Sequence, residues 1–115
     1  ASPSSRQWSR QWGLDHYPPE QLSVLQAIAS AIIQRSMGFI AAGYAGIITA
    51  LPAVIHPSTI AVDGAVFHFL PGFTSGVERL LADLLPENPP RLKLTPDGSS
   101  IGAAVAAALP LYSME

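Results

Sequence analysis

The chain has 115 residues with a formal net charge of -2, no cysteine, 49% hydrophobic residues and only 12% charged ones. Its length allows one domain at most, and six scattered Lys and Arg form no basic stripe, so nothing points to nucleic acid. Without cysteine there is no disulfide framework, thiolate metal site or Cys nucleophile.

A charged fraction near half the roughly 25% of soluble domains asks what covers so much apolar surface. The sequence begins "ASPSSRQWSRQW", a polar arm over residues 1–15 without the apolar core of a signal peptide. A helix follows, with Pro18 and Pro19 at its start and Glu20 in its first turn, where a negative charge suits the helix dipole. Ser23, Gln26, Ser30 and Gln34 form one wet stripe, leaving Leu25, Ile28 and Ile32 for a covered face. Beyond Arg35 the stripe continues as Gly38, Ala41 or Ala42, Ala45 and Thr49, small residues that let another backbone approach.

No charged residue stands between Ser36 and Val62, and a bilayer needs about 20 apolar residues. Three close glycines, Pro52 and the amphipathic start favour a buried helix over a membrane span. Next, Asp63-Gly64 lies between the β-prone runs Ile60–Val62 and Ala65–Phe67, which predicts a tight hairpin. In "PGFTSGVERLLADLLP" a helical face gathers Phe73, Val77, Leu80, Leu81 and Leu84, with Ser75 and Glu78 as a capping box and Pro86 as the stop. "RLKLT" alternates as a strand, with Leu92 and Leu94 inward and Arg91, Lys93 and Thr95 outward. The uncharged "GSSIGAAVAAALPLY" predicts a helix closed by Pro110 and buried on most sides. The expected class is α/β, in the order helix, β-hairpin, helix, strand, helix.

Gly98-Ser99-Ser100-Ile101-Gly102 spells a hydrolase elbow between a strand and a helix. Its partners fail: His16, His56 and His68 all precede Ser100, and Glu115 is the only acid after it. Neither phosphate-loop pattern is present, although a helix start after a strand suits an anion or a nucleotide edge; a simple capped helix is the stronger reading. The three histidines have no ligand spacing, and no metal site is expected.

Taken in order, Arg35, Ala42-Gly43-Tyr44-Ala45-Gly46, Val62-Asp63-Gly64, Phe67, Pro71 with Phe73, and Asp97-Gly98-Ser99 with Gly102-Ala103-Ala104 resemble the C-terminal part of the large lobe of eukaryotic-type hexokinases. The resemblance covers nearly everything after about residue 10 and implies that residues 16–115 belong to a ribonuclease-H-like, actin-like ATPase fold. It further implies an ATP- and Mg²⁺-dependent, cytoplasmic hexose phosphotransferase of the hexokinase and glucokinase kind, acting in glycolysis. Asp63, Gly64, Ala65 and Phe69 would line the adenosine side of its ATP site, with Gly98 and Ser99 at the edge. Gly64 suits that place because a missing side chain lets a ligand approach the backbone. Ala65 departs from the Ser or Thr usual in the family, and Leu70 stands where His or Tyr is common.

The family's catalytic Asp, phosphate loops, Mg²⁺ ligands and sugar pocket are not recognisable in the sequence, so no catalytic, sugar-binding or metal residue is assigned here. ATP, a hexose and the rest of the hexokinase fold are the expected partners, without nucleic acid or a membrane span. The alternative is a truncated, non-catalytic kinase relic that binds a partner through its apolar helices.

Overall fold

A computed structural model describes residues 9–112; residues 1–8 of the polar arm lie outside the described residues. Two compact units divide the chain, residues 1–36 and residues 37–115. Helix α1 (Pro19–Ala50) contributes its first half to one and its second half to the other.

In the first unit residues 9–11 form a helical turn. It closes where Gly13 takes φ 66°, with its N–H bonded to the Arg10 carbonyl at 3.1 Å. The covered face expected for α1 is not formed there: Val24, Leu25, Ile28 and Ile32 are all exposed. Among the described residues α1 is the one helix long and apolar enough to cross a membrane by length and composition.

The second unit builds its core on the small stripe of α1. Ala41, Ala45 and Ile48, at spacings of four and three, are buried, and Pro52 stops the helix two residues beyond Ala50. A 3₁₀ turn (Ala53–Ile55) leads to strand β1 (Thr59–Val62). Helices α2 (Ala65–Phe69) and α3 (Phe73–Leu84) precede strand β2 (Arg91–Leu94), and helix α4 (Gly98–Tyr112) follows it.

The hairpin expected at Asp63-Gly64 is not there. β1 pairs instead in parallel with β2, Thr59 opposite Arg91 through Val62 opposite Leu94. Parallel strands need a crossover, and residues 63–90 supply it through α2 and α3. A two-residue type I′ turn requires positive φ at both positions, and only Gly64 has it, at φ 124° and ψ 150°. Asp63 bonds the Gly64 N–H through its own side chain at 2.7 Å, and the chain leaves the strand directly into α2.

The capping box on α3 is also replaced. The helix begins at Phe73, two residues before Ser75, because Gly72 adopts the left-handed conformation (φ 77°) that closes the preceding turn. Ser75 Oγ therefore donates back to the Gly72 carbonyl at 3.1 Å. Glu78 is released to accept the Leu92 N–H at 2.8 Å, satisfying the edge of β2 that faces away from β1.

Phe73, Val77 and Leu81 are the largest fully buried side chains, with Phe67 of α2 edge-on to Phe73 at 5.3 Å. Leu84, placed on the same face by sequence, is 51% exposed. Leu94 is exposed rather than inward, since the sheet has only two strands and no described layer covers that end. The last helix, expected to be buried on most sides, shows residues 101–109 exposed throughout.

Candidate functional site

The strand ends and the start of α4 make the site. After Val62, β2 overshoots by one residue: Thr95 gives both its N–H (2.9 Å) and its Oγ–H (3.1 Å) to the Val62 carbonyl. These two hydrogen bonds fix the Thr95 side chain beneath Gly98, where an added Cβ would clash with Thr95 Oγ1 and meet Thr95 Cβ at 3.3 Å. Only glycine fits between the strand end and the helix. Asp97 carries the turn at φ 54°, a left-handed conformation that Asp tolerates, and its carbonyl accepts the Ile101 N–H at 3.0 Å.

Asp63 reaches across from the end of β1. Its Oδ2 accepts both the N–H and the Oγ–H of Ser99, each at 3.4 Å, while Oδ1 holds the Gly64 N–H and lies 3.6 Å from His68 Nε2. A carboxylate from another element thus takes the place of an N-cap on α4, where the helix dipole favours negative charge. These contacts hold the Asp63 carboxyl below its ordinary value, first the Gly64 N–H, then the Ser99 N–H, with a protonated His68 and the Ser99 hydroxyl adding to them. A carboxyl that titrates lower in the folded chain stabilises it fully above the ordinary carboxylate range, and that contribution disappears as pH falls through the folded value. Asp63→Asn should therefore flatten the acid limb of stability below about pH 4 relative to the parent chain, a difference measured by urea unfolding at pH 3 to 6.

The hollow between these walls has a volume of about 500 Å³ and is lined by Ala61, Asp63, Thr95, Pro96, Gly98, Ser99, Ile101 and Gly102. Of the six residues expected at the site, Asp63, Gly98 and Ser99 meet here, and Gly64 sits on the adjoining turn. Ala65 and Phe69 lie on α2 outside the lining, Phe69 with its ring 82% exposed beside a separate depression over α3. Sequence reasoning missed Thr95 and His68 as parts of the site; the pairing of a strand-end Thr with a glycine three residues on is the local trace of the first. Gly102 also lines the hollow, and a Cβ there would point into open space.

No nucleophile is built from these groups. Ser99 donates to Asp63 and His68 stands on the other carboxylate oxygen, so these contacts give Ser99 no histidine base. His56 Nε2 lies at hydrogen-bond distance, 2.9 Å, from the Leu51 carbonyl, and the His16 ring lies tilted against Tyr17 at 4.2 Å, both local contacts. Among the described residues no group of three His, Cys, Asp or Glu gathers.

A mixed helix-and-strand chain with a glycine-walled hollow at a strand-to-helix junction is of the kind that holds a ligand at the carboxyl ends of parallel strands. The hexokinase family model matches residues 3–109. Hexokinase-7 of Oryza sativa subsp. japonica is 32% identical over 96 residues, which cover 77% of this chain and 21% of that protein. No solved structure matches. The chain belongs to the hexokinase family, and it spans about a fifth of the length of the curated relative it matches.

Proposed function

We propose that this chain is the adenosine-side segment of an ATP-dependent hexose phosphotransferase with an actin-like ATPase fold. The complete protein transfers the γ-phosphoryl group of ATP to the 6-hydroxyl of a glucose-type hexose, in the cytoplasm and without a membrane span. Family membership supports the reaction class, and the hollow at Asp63, Gly98 and Gly102 supports the role of the segment.

The charge at α4 decides which part of a nucleotide this wall suits. A phosphate would bring its negative charge against the Asp63 carboxylate, which already holds the Ser99 N–H. A neutral sugar or base edge meets no such penalty: a ribose hydroxyl can donate to Asp63, and the bare helix at Gly98 and Gly102 lets a flat ring come close. Phe69 offers an exposed apolar ring, Gly64 an exposed backbone turn, and Ala65 no hydroxyl, on the α2 side. Mg²⁺, when bound with ATP, offsets the phosphate charge, and its ligands are not assigned to these residues.

Gly102→Leu in the complete protein fills the hollow from a helical position with open space around it. It should raise the KM for ATP about tenfold or more with little change in that for glucose, corresponding to roughly 1.4 kcal/mol or more of lost binding. Unchanged kinetics would remove the hollow from the ATP site. The 115-residue chain alone should give no ATP- and glucose-dependent turnover in a coupled assay.

The reading as a kinase relic with a binding role draws on the apolar row Ile101, Val105 and Leu109, all more than half exposed on α4. Self-association in light scattering, without stabilisation by nucleotide, would favour that role.

A further inference from the structure

We propose that His68 is a positioning residue for the start of α4, its protonation tightening the grip of Asp63 on Ser99 and so setting the spacing of two walls of the hollow. The inference deepens the nucleotide-site reading but rests on distances within the chain. Asp63 serves three neighbours with two oxygens. Oδ1 is held at short range by the Gly64 N–H (2.7 Å), with His68 Nε2 at 3.6 Å; Oδ2 makes only the two long bonds to Ser99, both 3.4 Å. Bonds of that length lie beyond the usual 2.7–3.2 Å range, so they depend on how the carboxylate plane is turned.

A histidine cation beside Oδ1 turns it. The charge fixes the plane from the α2 side, leaving Oδ2 aimed at Ser99; with a neutral His68, Oδ1 is held by the Gly64 N–H without that charge beside it. Both side chains are partly exposed, 28% for His68 and 29% for Asp63. The effect is accordingly that of a surface ion pair, small and graded.

Other charged groups on the neighbouring elements do not take the place of His68. Glu78 of α3 shares a depression with His68, but its Oε1 receives the Leu92 N–H. Asp97 precedes Gly98 and turns its carbonyl to Ile101; Lys93 of β2 sits opposite Ala61, two residues before Thr95. None has a contact with the Asp63 carboxylate of the kind that His68 makes.

The test needs no nucleotide, so its failure is separate from failure of the ATP reading. Amide hydrogen exchange of Ser99 is followed in the full chain from pH 5 to 8, the range in which histidine takes up a proton, after correction for intrinsic exchange. The expected result is about two- to fivefold greater protection when His68 is protonated, with Val77 and Leu81 amides as controls that do not follow it. His68→Gln should abolish the step, and His68→Lys should keep Ser99 protected through pH 8. A pH-independent Ser99 amide in the parent chain, or the same step in His68→Gln, would overturn the proposal. Because the parent chain carries a test by itself, a variant that fails to fold does not remove it.

Discussion

Replacing Phe73 with Ala is expected to cost the second unit about 3–5 kcal/mol, the range for truncating a buried aromatic side chain. Phe73 is 1% exposed, receives the edge of Phe67 and starts α3, so the loss reaches the crossover that carries Asp63. Few other side chains share the load: the buried apolar set named in this unit is Ala41, Ala45, Ile48, Val62, Phe73, Val77 and Leu81. In a unit of this size each kcal/mol lowers the melting temperature by roughly 4–8 °C, which places the expected fall at about 12 °C or more, or removes the cooperative transition altogether. Thermal unfolding followed by circular dichroism measures it. Phe69→Ala is the paired control: its ring is 82% exposed, so stability should change by no more than about 0.5 kcal/mol. If Phe69 faces adenine in the complete protein, that variant alone should weaken ATP binding while melting normally. Equal melting temperatures for the Phe73 and Phe69 variants would mean that the aromatic pair is not the core.

Most helices were legible because their signals are local. Pro19 and Pro52 bracket α1, the apolar row from Phe73 to Leu81 marks α3, and the alternation of Arg91 to Leu94 marks β2. Two short patterns mislead because a distant partner decides. Asp63-Gly64 reads as a hairpin tip until β2 pairs with β1 from residue 91 onward; S-x-x-E reads as a capping box until Glu78 finds the Leu92 N–H. Periodicity gives a helix face but not what covers it, which is why α4, uncharged and apolar, is exposed along residues 101–109. For a segment matching about a fifth of a relative, an apolar surface need not find its cover within the same stretch of chain. The site shows the same division. Gly98 and Ser99 read as a helix start and Asp63 as a hairpin tip, but their meeting depends on the parallel register, which no local spacing encodes.

Gly64→Ala is expected to destabilise the second unit by about 1–3 kcal/mol without creating a single steric overlap. The space around a Cβ at this position is open, and the cost lies in the backbone: φ 124° with ψ 150° is a conformation that side-chain-bearing residues rarely enter. Urea unfolding should show a lower midpoint at an unchanged slope, the mark of lost native stability rather than a changed extent of unfolding. An unchanged midpoint would mean that the turn does not hold this geometry. The result also governs how binding experiments are interpreted. A bulky residue at 64 can weaken ATP binding either by meeting the nucleotide or by shifting Asp63, whose carboxylate is anchored on the Gly64 N–H and reaches Ser99 from there. Asp63→Asn separates the two, since it keeps the glycine backbone and removes the charge. If Gly64→Ala lowers ATP affinity in the complete protein and Asp63→Asn does so to a similar degree, the placing of the Asp63 tether is what binding requires. A loss confined to the Gly64 variant, beyond what its lower stability explains, would place the nucleotide against the turn itself.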